Sequence, residues 1–84
     1  MGVIFITFRS VTPAQRGEVS LRKSGIRCSL GRTPREMEAK GCGYCIRLQQ
    51  EHMVNAVRIL REGQIPFRKV YLQYENGTTE EVVI

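Results

Sequence analysis

Leu21-Arg22-Lys23-Ser24-Gly25-Ile26 and Leu60-Arg61-Glu62-Gly63-Gln64-Ile65 follow one pattern. Each closes a helix near a glycine and leads through an isoleucine into a strand. Upstream of the first copy, Val3 to Phe8 (VIFITF) is an unbroken β-branched and aromatic run, the composition of a strand buried on both faces. Between them, Thr12-Pro13-Ala14-Gln15 offers an N-cap, a proline at the first helical position and a capping box. A first helix is therefore expected from there to about Ser24, with Gly25 in the left-handed position and Ile26 making the apolar contact. Arg27 to Leu30 reads as a second strand and Cys45 to Leu48 as a third. Glu51 to Glu62 reads as a second helix, with Met53, Val54, Val57 and Leu60 on one side and Gly63 at its end. Phe67 to Tyr74 is a fourth strand. Asn76-Gly77 is a two-residue hairpin signal, and Thr78 to Val83 folds back as a fifth strand. The order is βαβ twice over. It predicts one α+β domain spanning residues 1–84, a ferredoxin-like βαββαβ with an antiparallel sheet. The first and third strands are central, both helices lie on one face, and a C-terminal strand is added.

Eighty-four residues exclude doubly wound sheets and barrels as catalytic scaffolds. No apolar run is long enough to span a membrane, and Met1 to Phe8 lacks the basic start and small-residue cleavage site of a signal peptide. Thirteen Lys and Arg against eight acidic residues, all Glu, give a net charge of +5. That suits an anionic partner, and it equally serves solubility. Three cysteines is an odd number for a stapled secreted fold, so the chain is expected in a reducing cytoplasm with free thiols.

The connection between the second and third strands carries the chemistry. In the expected topology it leaves from the end of the sheet where the first helix begins. Thr33-Pro34-Arg35-Glu36 is a second capping box and predicts one helical turn. Cys42 lies between Gly41 and Gly43, which leave its sulfur unshielded. Arg32, Arg35 and Lys40 are close in sequence, and positive charge favours a thiolate, the form that attacks a disulfide, holds a persulfide or binds a metal. Spacing alone leaves open that Cys42 is a loop residue without a role. Cys45, on the third strand, and Cys28, on the second, read first as small buried hydrophobes.

Thr33-Pro34-Arg35-Glu36, a short spacer and Cys42-Gly43 resemble the signature of the selenium/sulfur (Se/S) carrier-like proteins, and the resemblance extends over roughly Val3 to Tyr74. It implies a carrier or accessory protein rather than a stand-alone enzyme, with Cys42 as the carrier thiolate. Thr33, Pro34, Arg35, Glu36, Gly41 and Gly43 would form the loop that binds around it. It also implies a cysteine desulfurase or selenocysteine lyase-type donor, a sulfur or selenium acceptor protein, and no cofactor. Two departures stand out. Ala39-Lys40-Gly41 replaces small hydroxyl residues, and Cys45, in place of a small apolar residue, adds a candidate resolving thiol.

Two other classes compete. Cys42-Gly43-Tyr44-Cys45 has redox CxxC spacing. In thioredoxin-like folds that motif closes the first βα turn, whereas only 39 residues follow Cys45 here. A basic nucleic-acid module is the second alternative, since some ferredoxin-like sheets stack bases on aromatic residues. Phe5, Phe8, Tyr71 and Tyr74 are on strands, but the glycine-rich aromatic signature is missing, and Phe5 and Phe8 read as core. Arg58, Arg61, Arg68 and Lys69 would be its basic patch, or a solvated rim. No metal is expected, because zinc takes four ligands and one CxxC supplies two. His52 reads as a solvated side chain.

Overall fold

The computed structural model describes residues 2–37 and 43–83. Five strands form one antiparallel sheet: β1 (Val3–Phe8), β2 (Cys28–Arg32), β3 (Tyr44–Gln49), β4 (Val70–Gln73) and β5 (Thr79–Val82), in the order β2-β3-β1-β4-β5. Two helices, α1 (Val11–Lys23) and α2 (Met53–Glu62), make the crossovers, and a 3-10 turn (Gln50–His52) leads into α2. With β1 and β3 in the middle and β5 added at the edge, this is the ferredoxin-like α+β arrangement expected from the two βαβ units.

β1 owes its central place to having no polar side chain but Thr7. Its alternate residues Ile4, Ile6 and Phe8 join Ile46, Leu48, Val70 and Leu72 in one cluster with Ala14 and Leu21 of α1 and Ala56, Val57 and Leu60 of α2. Both helices therefore cover the same face of the sheet. α1 comes close because residue 17 is glycine. A Cβ there would stand 3.1 Å from Leu60 Cδ2, 3.2 Å from Ile46 Cδ1 and 3.3 Å from Phe8 Cζ.

The helix ends repeat as the two matching stretches predict. The Ile26 N–H donates to Leu21 O at 3.0 Å and the Gly25 N–H to Arg22 O at 3.0 Å; the Ile65 N–H donates to Leu60 O at 2.9 Å and the Gln64 N–H to Arg61 O at 3.1 Å. Both sets are Schellman closures. Gly25 takes the left-handed position at φ +83°, but in the second closure that position falls to Gln64, at φ +55°, and not to Gly63. The glycine stands one residue too early in the chain to fill it.

Other boundaries also move. α1 starts at Val11 with Ser10 as its N-cap, and no side chain caps it, so the Thr12–Gln15 capping box does not form. β2 is shifted to Cys28–Arg32, and β4 begins at Val70 rather than Phe67. The β4–β5 hairpin has a three-residue loop. The Gly77 N–H donates to Tyr74 O at 2.9 Å, Tyr74 N–H donates to Thr78 O at 2.8 Å, and only Gly77 has positive φ. Asn76 lacks the positive φ that a two-residue type I′ turn demands. Its Oδ1 instead accepts from the Thr78 N–H at 3.0 Å.

Candidate functional site

The β2–β3 connection leaves and returns at the end of the sheet where β1 finishes. Arg32 pairs with Tyr44, and Tyr44 with Phe8, three residues before α1 begins. The sequence reading placed it there. Its described ends are bound to the rest of the fold. Thr33 N–H donates to Gly43 O at 3.1 Å, tying the two ends of the connection together. The chain then turns back over the sheet face that the helices leave open. Met37 packs on Phe5 and Cys45, with Val3 and Tyr71 at the margin, and the Tyr71 hydroxyl donates to Met37 O at 3.2 Å. This second, smaller cluster explains how β1 comes to be buried on both sides.

Thr33 to Glu36 does not make the expected helical turn. A single i→i+3 bond, from the Met37 N–H to Pro34 O at 3.0 Å, closes a turn there. Thr33 is 7% exposed, and its Oγ1 has no hydrogen-bond partner among the described residues. It therefore caps nothing in this segment. Pro34 is half-buried, whereas Arg35 and Glu36 are exposed. Gly43 is buried at the base. Cys42 and Gly41, with Lys40, lie outside the described residues.

Cys45 is 1% exposed, and its Sγ donates to Arg32 O at 3.5 Å. Burial raises its thiol pKa above the usual range, and the Arg47 charge opposes that shift without cancelling it. The neutral thiol is thus the resting form, and this cysteine is the small buried hydrophobe that its strand position implied. Cys28 is on the other face of the sheet, half-buried, with Sγ directed at Glu18 O at 4.0 Å. Its thiol is also raised by burial, with Arg22 opposing. The register places Cys28 opposite Leu48 and Gly31 opposite Cys45, so the two described thiols are not brought together. Arg32 stacks over the Tyr44 ring at 5.6 Å from its centroid, which holds one cation beside the loop base.

Of the aromatic residues weighed for base stacking, Phe5 and Phe8 are core, Tyr71 is half-buried, and Tyr74 is exposed with its hydroxyl donating to Glu80 Oε1 at 2.7 Å. His52 is half-buried in the 3-10 turn rather than solvated. No three His, Cys, Asp or Glu side chains converge among the described residues. No described helix is long and apolar enough to cross a membrane.

Sequence reasoning missed the packing of Met37 and Tyr71 over the second face. The available signal was VIFITF itself: a strand apolar on both sides needs a cover on both sides.

The described fold is a small α+β sheet whose Thr-Pro-Arg-Glu turn is bonded back to Gly43, the residue that follows Cys42 in the sequence. The family described as "Putative Se/S carrier protein-like" matches residues 4–72. The chain belongs to that family, as the motif resemblance implied. No curated protein and no solved structure gives a significant match.

Proposed function

We propose that this protein carries sulfur or selenium between a donor enzyme and an acceptor protein in the cytoplasm, holding the atom on Cys42 as a persulfide or selenosulfide. The supporting observation is the family match over residues 4–72, taken with the loop that bears its motif. The Thr33–Gly43 bond and the Met37 anchor hold both flanks of residues 38–42.

The transfer is a thiolate exchange. Cys42 loses its proton and its thiolate attacks the terminal sulfane sulfur of a donor persulfide. The donor's S–S bond breaks, a Cys42 S–S bond forms, and the donor leaves as a thiolate, so nothing is oxidised or reduced overall. Arg32 near the loop base favours the anion. Arg35 and Glu36, both exposed, would meet the partner.

The dithiol reading gains less support. Cys45 is buried under Met37 with a raised pKa, which makes it a weak nucleophile unless the Thr33–Met37 segment lifts. A resolving role for Cys45 would require that opening. The nucleic-acid reading is also disfavoured, because Phe5 is covered where a base-stacking sheet shows its rings.

The test is mass spectrometry after incubation with a cysteine desulfurase and cysteine. An added sulfur on the wild-type chain that is lost in Cys42→Ser is expected. An adduct unchanged in Cys42→Ser rules the assignment out.

A further inference from the structure

Phe5 and Cys45 are core residues on the sheet face opposite the helices. Met37 packs over them, at the end of a segment, Thr33 to Met37, that belongs to no strand or helix. At one end of it the Thr33 N–H donates to Gly43 O at 3.1 Å. At the other the Tyr71 hydroxyl donates to Met37 O at 3.2 Å, and the Met37 side chain fills the small cluster. The bond from the Met37 N–H to Pro34 O at 3.0 Å stays inside the segment and survives when it moves as one piece.

The strands beneath are held in a different way. β1, β3 and β4 keep their ladders and, on the other face, the main core under α1 and α2. Among the described residues, raising Met37 breaks the Tyr71 bond and one small apolar contact and leaves every ladder pairing in place. Segments with few buried apolar contacts open locally at less cost than the whole domain unfolds. Methionine suits such a contact, because its unbranched thioether chain packs without a fixed shape.

We propose that Thr33–Met37 is a strap, hinged at Thr33, that opens while the sheet stays folded and so controls access to Cys45. Closed, it shuts the thiol from solvent, with Sγ turned to Arg32 O at 3.5 Å. Open, it presents that thiol at the sheet surface. Arg35 and Glu36 stand exposed on the strap, so a partner that holds them more tightly in the open form shifts the strap toward opening. The inference does not rest on the carrier reading: no atom of Cys42 takes part, and the test is run without that thiol.

The experiment is iodoacetamide labelling of the full chain across a urea series, in a Cys28→Ala, Cys42→Ser background where Cys45 is the one thiol left. At low urea the rate should barely depend on urea, because opening the strap exposes little surface. It should exceed by at least about tenfold the rate extrapolated back from the steep global-unfolding limb. Tyr71→Phe removes the latch bond and keeps the ring, and should raise the low-urea rate by about fivefold, the worth of one ordinary hydrogen bond. Met37→Ala should raise it by at least about tenfold. Val57→Ala, in the core under the helices, should lower the global urea midpoint and leave the low-urea rate unchanged. A rate that follows the global-unfolding line down to zero urea, a rise with Val57→Ala as large as its loss of global stability, or indifference to both Tyr71→Phe and Met37→Ala would overturn the proposal. So would labelling at the rate of a free thiol, since that marks a Cys45 the strap does not cover.

Discussion

Replacing Thr33 with valine is expected to stabilise this protein. The hydroxyl is buried and makes no hydrogen bond among the described residues. An unpartnered buried hydroxyl costs about 1–3 kcal/mol. Valine puts a methyl group in its place and keeps the β-branch. It also retains the backbone N–H that donates to Gly43 O at 3.1 Å. The expected gain is about 1–2 kcal/mol, and each kcal/mol raises Tm by about 4–8 °C in a domain of this size. Urea unfolding measures the effect. A motif residue that weakens the fold is one held for another purpose. The stabilised variant should therefore load less sulfur from a desulfurase than wild type. A stability loss of about 1 kcal/mol or more would refute the reasoning, because it would mean the hydroxyl holds a bond in the native loop.

Gln64→Gly should raise stability by about 0.5 kcal/mol, since it relieves a left-handed residue at a cost in unfolded-chain entropy; a lower urea midpoint would contradict the Schellman assignment. Gly17→Val should lower stability by about 1–3 kcal/mol, because Leu60, Ile46 and Phe8 already crowd the position; an unchanged thermal melt would count against the close approach of α1. Cys28 and Cys45 both have raised thiol pKa values in the fold. The folded state keeps these protons where the unfolded chain loses them, so their contribution is complete below about pH 8.5 and is lost as pH rises through the folded values. Urea midpoints should fall between pH 8 and pH 10, by less in a Cys45→Ala variant than in wild type; identical slopes would argue against the buried thiol.

Much of the fold was legible because its signals are local. The two Leu-to-Ile stretches predicted matching helix closures, and VIFITF predicted a central strand. Each depends on residues within one turn or one strand. The misplacements are local too, but they reflect competition. Thr12 and Ser10 are both good caps, and the helix begins at the earlier one. Gly63 and Gln64 compete for the left-handed position, and the closing bonds to Leu60 and Arg61 select Gln64 despite its side chain. Strand β4 begins late because Arg68 and Lys69 both bond to Thr7, the Arg68 N–H donating to Thr7 O and the Thr7 N–H to Lys69 O, so one-to-one pairing starts only at Val70.

The candidate site was legible as a motif and not as a geometry. Thr33-Pro34-Arg35-Glu36 and Cys42-Gly43 identify the family in one dimension, and the family match agrees. Cys42 itself lies outside the described residues, so its chemistry rests on the motif.

The sequence alone determined the order of strands and helices, the family and the cysteine that its motif marks. The element order follows from periodicity and short-range hydrogen bonding, whereas the family and its cysteine follow from the resemblance of the motif. Only the tertiary structure decided that Cys45 is sealed beneath Met37, that Thr33 is buried with no partner for its hydroxyl among the described residues, and that Arg9, Arg16 and Arg68 share one cleft. Each of those joins segments far apart in the chain, and their proximity is set by how the sheet and its crossovers pack, which no local pattern encodes.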